Sequence, residues 1–176
     1  MSDGIGQFGV VVGQGSWVAR VIQWATNSPA YHVQVRVDHG WTAGMESGGC
    51  RVRPEGNLSG YGTVLWSDVK LTDEQKHTII TVMLEAQFAH YSYLDDVLIG
   101  LNKLAARANT RVGKLIARLF APVLNLLQRD KHYECAEIVD IAYRAAGIDL
   151  FKDGLPPGAR YPSDFYNLLP EYMKAA

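Results

Sequence analysis

Two short strings far apart in the chain carry residues able to do nucleophilic chemistry: Tyr133-Glu134-Cys135-Ala136-Glu137 and Tyr31-His32-Val33. Cysteine attacks a carbonyl carbon only as its thiolate, and a free thiol with a pKa of about 8.5 is mostly protonated at neutral pH, so the protein must supply an imidazolium or a helix N-terminus. Cys135 falls in the first turn of a helix expected from about Glu134 to Ala146, with Gly147 as its stop. There the helix dipole favours the thiolate, and the first backbone N–H groups can face a developing oxyanion. Glu134 and Glu137 oppose this, because carboxylates beside a thiol favour its neutral form.

His32 has the strand that a base needs. From Tyr31 to Val37 the residues alternate, Val33, Val35 and Val37 on one side and His32, Gln34 and Arg36 on the other, which predicts a half-buried strand. Asp38-His39-Gly40 reads as a three-residue hairpin loop. A hairpin centred on His39 opposes Val33 to Met45, Val35 to Ala43, Val37 to Trp41 and His32 to Glu46, with opposed side chains roughly 5 Å apart at Cβ. Glu46 then becomes the third member of a Cys135–His32–Glu46 triad, fixing the tautomer of the ring. His132 is the rival base, but it sits too close in sequence to Cys135 and points outside the helix start. The competing descriptions are a buried cysteine acting as a small hydrophobe and a surface histidine beside a surface glutamate. Cys50 fits the first of these.

The elements around the site follow from composition and pattern. At 176 residues, 48% hydrophobic and a net charge of −1, the chain suffices for one domain, 1–176, with a mainly β part over 1–70 and a mainly α part over 71–176. Strands are expected at Gly9–Gly13, Arg51–Pro54 and Thr63–Val69, completing a small antiparallel sheet or partial barrel. A short helix is expected at Trp17–Ala25 with Ser16 as N-cap and Thr26-Asn27-Ser28-Pro29 as its break. Thr72 and Gln75 form a capping box for a helix ending near His90. Further helical runs start at Leu94 and reach toward Leu127, interrupted by Pro122. In the last long helix Glu134, Glu137, Asp140 and Arg144 are assigned to solvent, and Ile138, Val139, Ala142 and Tyr143 to the core. A final helical segment begins near Tyr161 with Ser163 as cap. Two cysteines make neither a disulfide framework nor a structural zinc site, and no metal or other cofactor is expected.

Taken together, these strings resemble the NlpC-type papain-like cysteine amidases and peptidases, in their circularly permuted branch, which includes YiiX-like proteins and the lecithin retinol acyltransferase group. The resemblance spans nearly the whole chain. It rests on Trp24-Ala25-Thr26-Asn27-Ser28-Pro29-Ala30-Tyr31-His32-Val33, on Met45-Glu46, on Tyr91-Ser92-Tyr93-Leu94-Asp95, and on Tyr133-Glu134-Cys135-Ala136-Glu137, similar to the branch's Cys-Ser-Glu helix start. It implies an α+β, circularly permuted papain-like fold, with Cys135 as nucleophile, His32 as general base and Glu46 as its polar partner. It also implies an oxyanion tyrosine, for which Tyr93 and Tyr133 are the candidates. Ala136 in place of the usual serine and Cys50 in place of an apolar residue are its two departures.

A basic stripe adds a surface. Between Asp96 and Asp130 there is no acidic residue, and Lys103, Arg107, Arg111, Lys114 and Arg118 recur every three or four positions, so they line one helical face. Such a face suits an anionic membrane or a cell-wall polyanion, or it is simply a solvated side of a packed helix. The overall charge gives no reason to expect nucleic acid. Absence of a signal-peptide pattern or an apolar membrane span points to a cytoplasmic or phage-delivered protein. The expected activity is hydrolysis of an amide through a Cys135 acyl-enzyme, in a small peptide such as a cell-wall stem peptide, an identification that comes from the resemblance. The alternatives are a lipid-directed thiol acyltransferase or hydrolase, for which the stripe would be the membrane contact, and an inactive binding or virion-associated module.

Overall fold

The structure, a computed structural model, describes residues 4–46, 49–55, 62–88 and 134–173. Their order is β1 (Phe8–Val12), α1 (Trp17–Thr26), β2 (Ala30–Asp38), β3 (Trp41–Glu46), β4 (Gly49–Pro54), β5 (Thr63–Trp66), α2 (Asp73–Glu85), α3 (Cys135–Ala145) and α4 (Pro162–Tyr172), with 3₁₀ turns at Ala86–Phe88 and Pro157–Ala159. The strands form one antiparallel sheet in the order β4-β3-β2-β1-β5. The expected α+β class is therefore present, with a five-stranded antiparallel sheet and helices on both of its faces.

Alternation along β2 assigns the two faces. Val33 and Val35 are fully buried in a cluster with Phe8, Val10, Ala43 and Met45, and with Val139, Ala142 and Tyr143 of α3 and Phe165 and Leu169 of α4. The opposite face carries Val11, which packs with Tyr31 and Val64 against Ala19 and Ile22 of α1. On its outer side α1 leaves Trp17, Val21 and Trp24 exposed, at 64%, 44% and 72% of their surface, an apolar stripe at helical spacing. Ser16 caps α1, its Oγ accepting from Ala19 N–H at 3.4 Å, and Asn27 ends it in the left-handed conformation. Thr72 and Gln75 make the reciprocal capping box of α2.

The hairpin corrects one expectation. Val35 opposes Ala43 and Arg36 opposes Thr42 as the alternation requires, but Asp38, not Val37, then opposes Trp41. Val37 is a bulge and the loop is His39-Gly40. Asp38 accepts from the His39 N–H at 2.7 Å and Gly40 sits at φ 72°, so a two-residue turn closes where three residues were expected.

Tyr143 locks α3 to the sheet. Its hydroxyl donates to the Gly6 carbonyl at 2.8 Å and accepts from the Phe8 N–H at 3.1 Å, while Phe8 meets the rings of Tyr143 and Phe165 edge-on. Tyr143→Phe leaves both backbone groups buried and unmet, and is expected to cost about 1–3 kcal/mol. Urea unfolding monitored by circular dichroism measures that loss.

Two further expectations fail at helix ends and faces. Ser163 is not the cap of α4. Tyr161 precedes the helix, Pro162 is its first residue, and the Asp164 carboxylate accepts from the Tyr161 N–H at 2.8 Å. Asp140, assigned to solvent, is fully buried. Its Oδ2 accepts from Arg160 Nε at 3.3 Å and from Arg144 Nε at 3.1 Å, and Arg160 forks onto Asp153 at 2.7 and 2.8 Å while stacking on Phe151. Arg160 is itself 2% exposed. These contacts tie the middle of α3 to the 153–160 segment.

Candidate functional site

Cys135 is the first residue of α3 and is part-buried at the edge of the main cluster. Glu134 stands before the helix in extended backbone, and its carbonyl accepts the first helical bond, from Ile138 N–H at 3.1 Å. The carboxylate of Glu137 turns back to accept from the Glu134 N–H at 3.3 Å. Both acids of the Tyr133–Glu137 string therefore have a structural job at the helix start: one is its N-cap and the other a first-turn carboxylate that complements the dipole. The turn Pro157–Ala159 closes over this end, since a Cβ on Gly158 would lie 3.2 Å from Glu137 Oε1.

The second thiol is different in kind. Cys50 on β4 is buried, its S–H donates to the Met83 carbonyl at 3.3 Å, and burial together with the nearby Glu46 carboxylate pushes its pKa up to about 12. It stays a neutral thiol at any physiological pH. This matches its assignment as a structural residue.

His32 lies on the polar face of β2, opposite Val11 of β1, with its Nε2 2.8 Å from where a Cβ on Gly44 would stand. Gly44 has no side chain, and the ring occupies that space. The half-buried imidazole is packed among protein atoms, and this desolvation lowers its pKa from 6.5 to about 4. His32 is thus a neutral imidazole at pH 7. That form can accept a proton, but it does not provide a standing imidazolium for a thiolate.

A buried neutral histidine makes stability depend on pH. Its folded pKa lies below the unfolded value, so nothing is lost above pH 6.5, and below it the unfolded chain takes up a proton that the folded one refuses. Stability is expected to fall by about 1.4 kcal/mol per pH unit from 6.5 toward 4, roughly 3 kcal/mol in all. Urea titrations of the native chain and of His32→Gln over this range isolate the effect, which appears as the difference between the two.

Glu46 and His32 are on the same face of adjacent strands, yet the carboxylate is taken by Arg53, whose Nη2 reaches Glu46 Oε2 at 2.5 Å. Arg53 opposes Thr42 on β4, which places it on the same face as Glu46. No hydrogen bond joins Glu46 to His32. Nor does one join His32 to Cys135: the side chains of β2 that meet α3 are Val33 and Val35, and His32 points to the other side of the sheet. Tyr93, Tyr133 and the stripe Lys103, Arg107, Arg111, Lys114 and Arg118 lie outside the described residues.

Among the described residues no group of three or more histidine, cysteine or carboxylate side chains could hold a metal ion, and no helix is long and apolar enough to cross a membrane. Compared with known family models and with curated proteins, the chain matches none. What the sequence did not reveal is the Asp140–Arg160 ion pair. Its signal was present, because Asp140 falls on the Ala136–Val139–Tyr143 stripe that faces the core.

Proposed function

We propose that the chain is a papain-like thiol hydrolase that cleaves an amide in a small peptide, such as a cell-wall stem peptide, with Cys135 as nucleophile; His32, the base expected from the sequence, lies on the sheet face away from α3 and is not assigned that role. The observation that carries this is the contrast between its two cysteines. Cys50 is buried, hydrogen-bonded and held neutral, whereas Cys135 opens a helix of 11 residues with its thiol part-exposed at the positive end of the dipole. In such a reaction the Cys135 sulfur adds to the amide carbonyl, the thiol proton goes to the departing amine, and water then releases the acid from the thioester.

The nucleophile is also compatible with a lipid-directed acyltransferase or hydrolase, which the exposed Trp17, Val21 and Trp24 of α1 favour, since indole rings partition to membrane interfaces. An inactive binding module is favoured by the position of His32 on the sheet face away from α3. Digestion of purified peptidoglycan, alongside a panel of acyl esters and read by mass spectrometry, separates these. Amide products that vanish in Cys135→Ala support the peptidase, ester turnover with flotation on anionic liposomes supports the lipid enzyme, and no turnover of either leaves a binding module.

A further inference from the structure

The polar face of the sheet divides into two halves that treat their hydrogen-bonding groups differently. In one half Arg36 forks onto Glu55 at 2.6 and 3.1 Å and lies over the Trp66 ring at 4.1 Å, so its donors and its charge are answered. Two residues along β2 the pattern stops. Gln34 is 2% exposed and its Nε2 has no acceptor, the Nε of Arg53 is likewise buried without one, and beside Gln34 stands the part-buried His32 ring. Buried donors are met in nearly all native proteins, so neighbouring ones left unmet mark a place for something else.

His32 and Gln34 meet at Gly44. A Cβ there would stand 2.8 Å from His32 Nε2 and 3.2 Å from Gln34 Cβ, and the residue directly across from it on β4 is Arg51. Arg51 is exposed and makes no ion pair among the described residues. Arg51 and Arg53 against Glu46 leave one positive charge in excess, with the Arg36–Glu55 pair neutral beside them. Unmet N–H donors and surplus positive charge call for an anionic acceptor with two oxygens in a plane. We propose that this face binds a carboxylate, held by Gln34 Nε2, Arg53 Nε and the His32 imidazole, with Arg51 at its rim.

The proposal goes beyond the thiol chemistry and does not need it, because the site lies on the face away from α3. It is tested by nuclear magnetic resonance of the His32 ring, assigned with His32→Gln, while sodium acetate, acetamide or sodium chloride is added at matched ionic strength. Acetate is expected to move the His32 resonance saturably and to raise its titration midpoint, and acetamide and chloride are not. Gln34→Leu and Arg53→Met should each weaken acetate about tenfold or more, while Cys135→Ala binds as the native chain does. An absence of any saturable shift, an equal shift with chloride, or an affinity unchanged in both Gln34→Leu and Arg53→Met would overturn it. None of those results bears on Cys135.

Discussion

Arg160→Ala is expected to destabilise the protein by about 3–5 kcal/mol, because it takes the buried guanidinium from the fully buried Asp140 carboxylate and leaves it only the part-exposed Arg144. For a chain of this size the melting temperature should drop by roughly 10 °C. The loss is larger than the count of bonds suggests. Arg160 also forks onto Asp153 and covers Phe151, so its removal detaches the 153–160 segment from α3. Replacing both charges at once, Asp140→Leu with Arg160→Met, should cost much less, since no charge is then left buried alone. A calorimetric comparison of the single and double variants decides between an ion pair that specifies the packing and simple loss of volume. Acid acts on the same cluster. Arg160 holds the Asp153 carboxyl well below the usual carboxylate range, so its contribution is present above about pH 4 and is lost as pH falls through its lowered folded value.

The second large effect concerns the proposed chemistry. Cys135→Ser should reduce amide hydrolysis by at least about 1,000-fold, because a serine hydroxyl in a site built for a thiol lacks a nucleophile that ionises. His32→Ala, which changes the other face of the sheet, should leave kcat little changed. Single-turnover assays on the same peptide, with circular dichroism to confirm folding, measure both. A large loss of kcat in a folded His32→Ala chain would instead assign His32 to the chemistry.

The two strings that suggested this chemistry were legible because they depend on local rules. The β2 alternation and the capping signals at Ser16 and Thr72 rest on neighbours within a few residues, and the structure has them as the residue types require. Where long-range pairing or burial decides, the residue type misled. The charge of Asp140 assigns it to solvent, but its place on the α3 stripe outweighs its type once Arg160 arrives from twenty residues away. The β2–β3 hairpin alone matches Glu46 to His32, and β4 then brings Arg53 to the same face as an oppositely charged partner. Asp-His-Gly can close a loop of two or three residues, and only the Asp38 bond to the His39 N–H selects two. Glu134, a seeming obstacle beside the nucleophile, stands outside the helix as its N-cap.

Whether Cys135 is an activated nucleophile is measured most directly by its rate of alkylation with iodoacetamide across pH 5 to 9, located by peptide mass spectrometry with Cys50 as the internal control. Cys50 should stay unmodified until the chain unfolds. Cys135 should react well below the pH at which ordinary thiols do. If Cys135 reacts no faster than an ordinary thiol at any pH in this range, the catalytic assignment is contradicted.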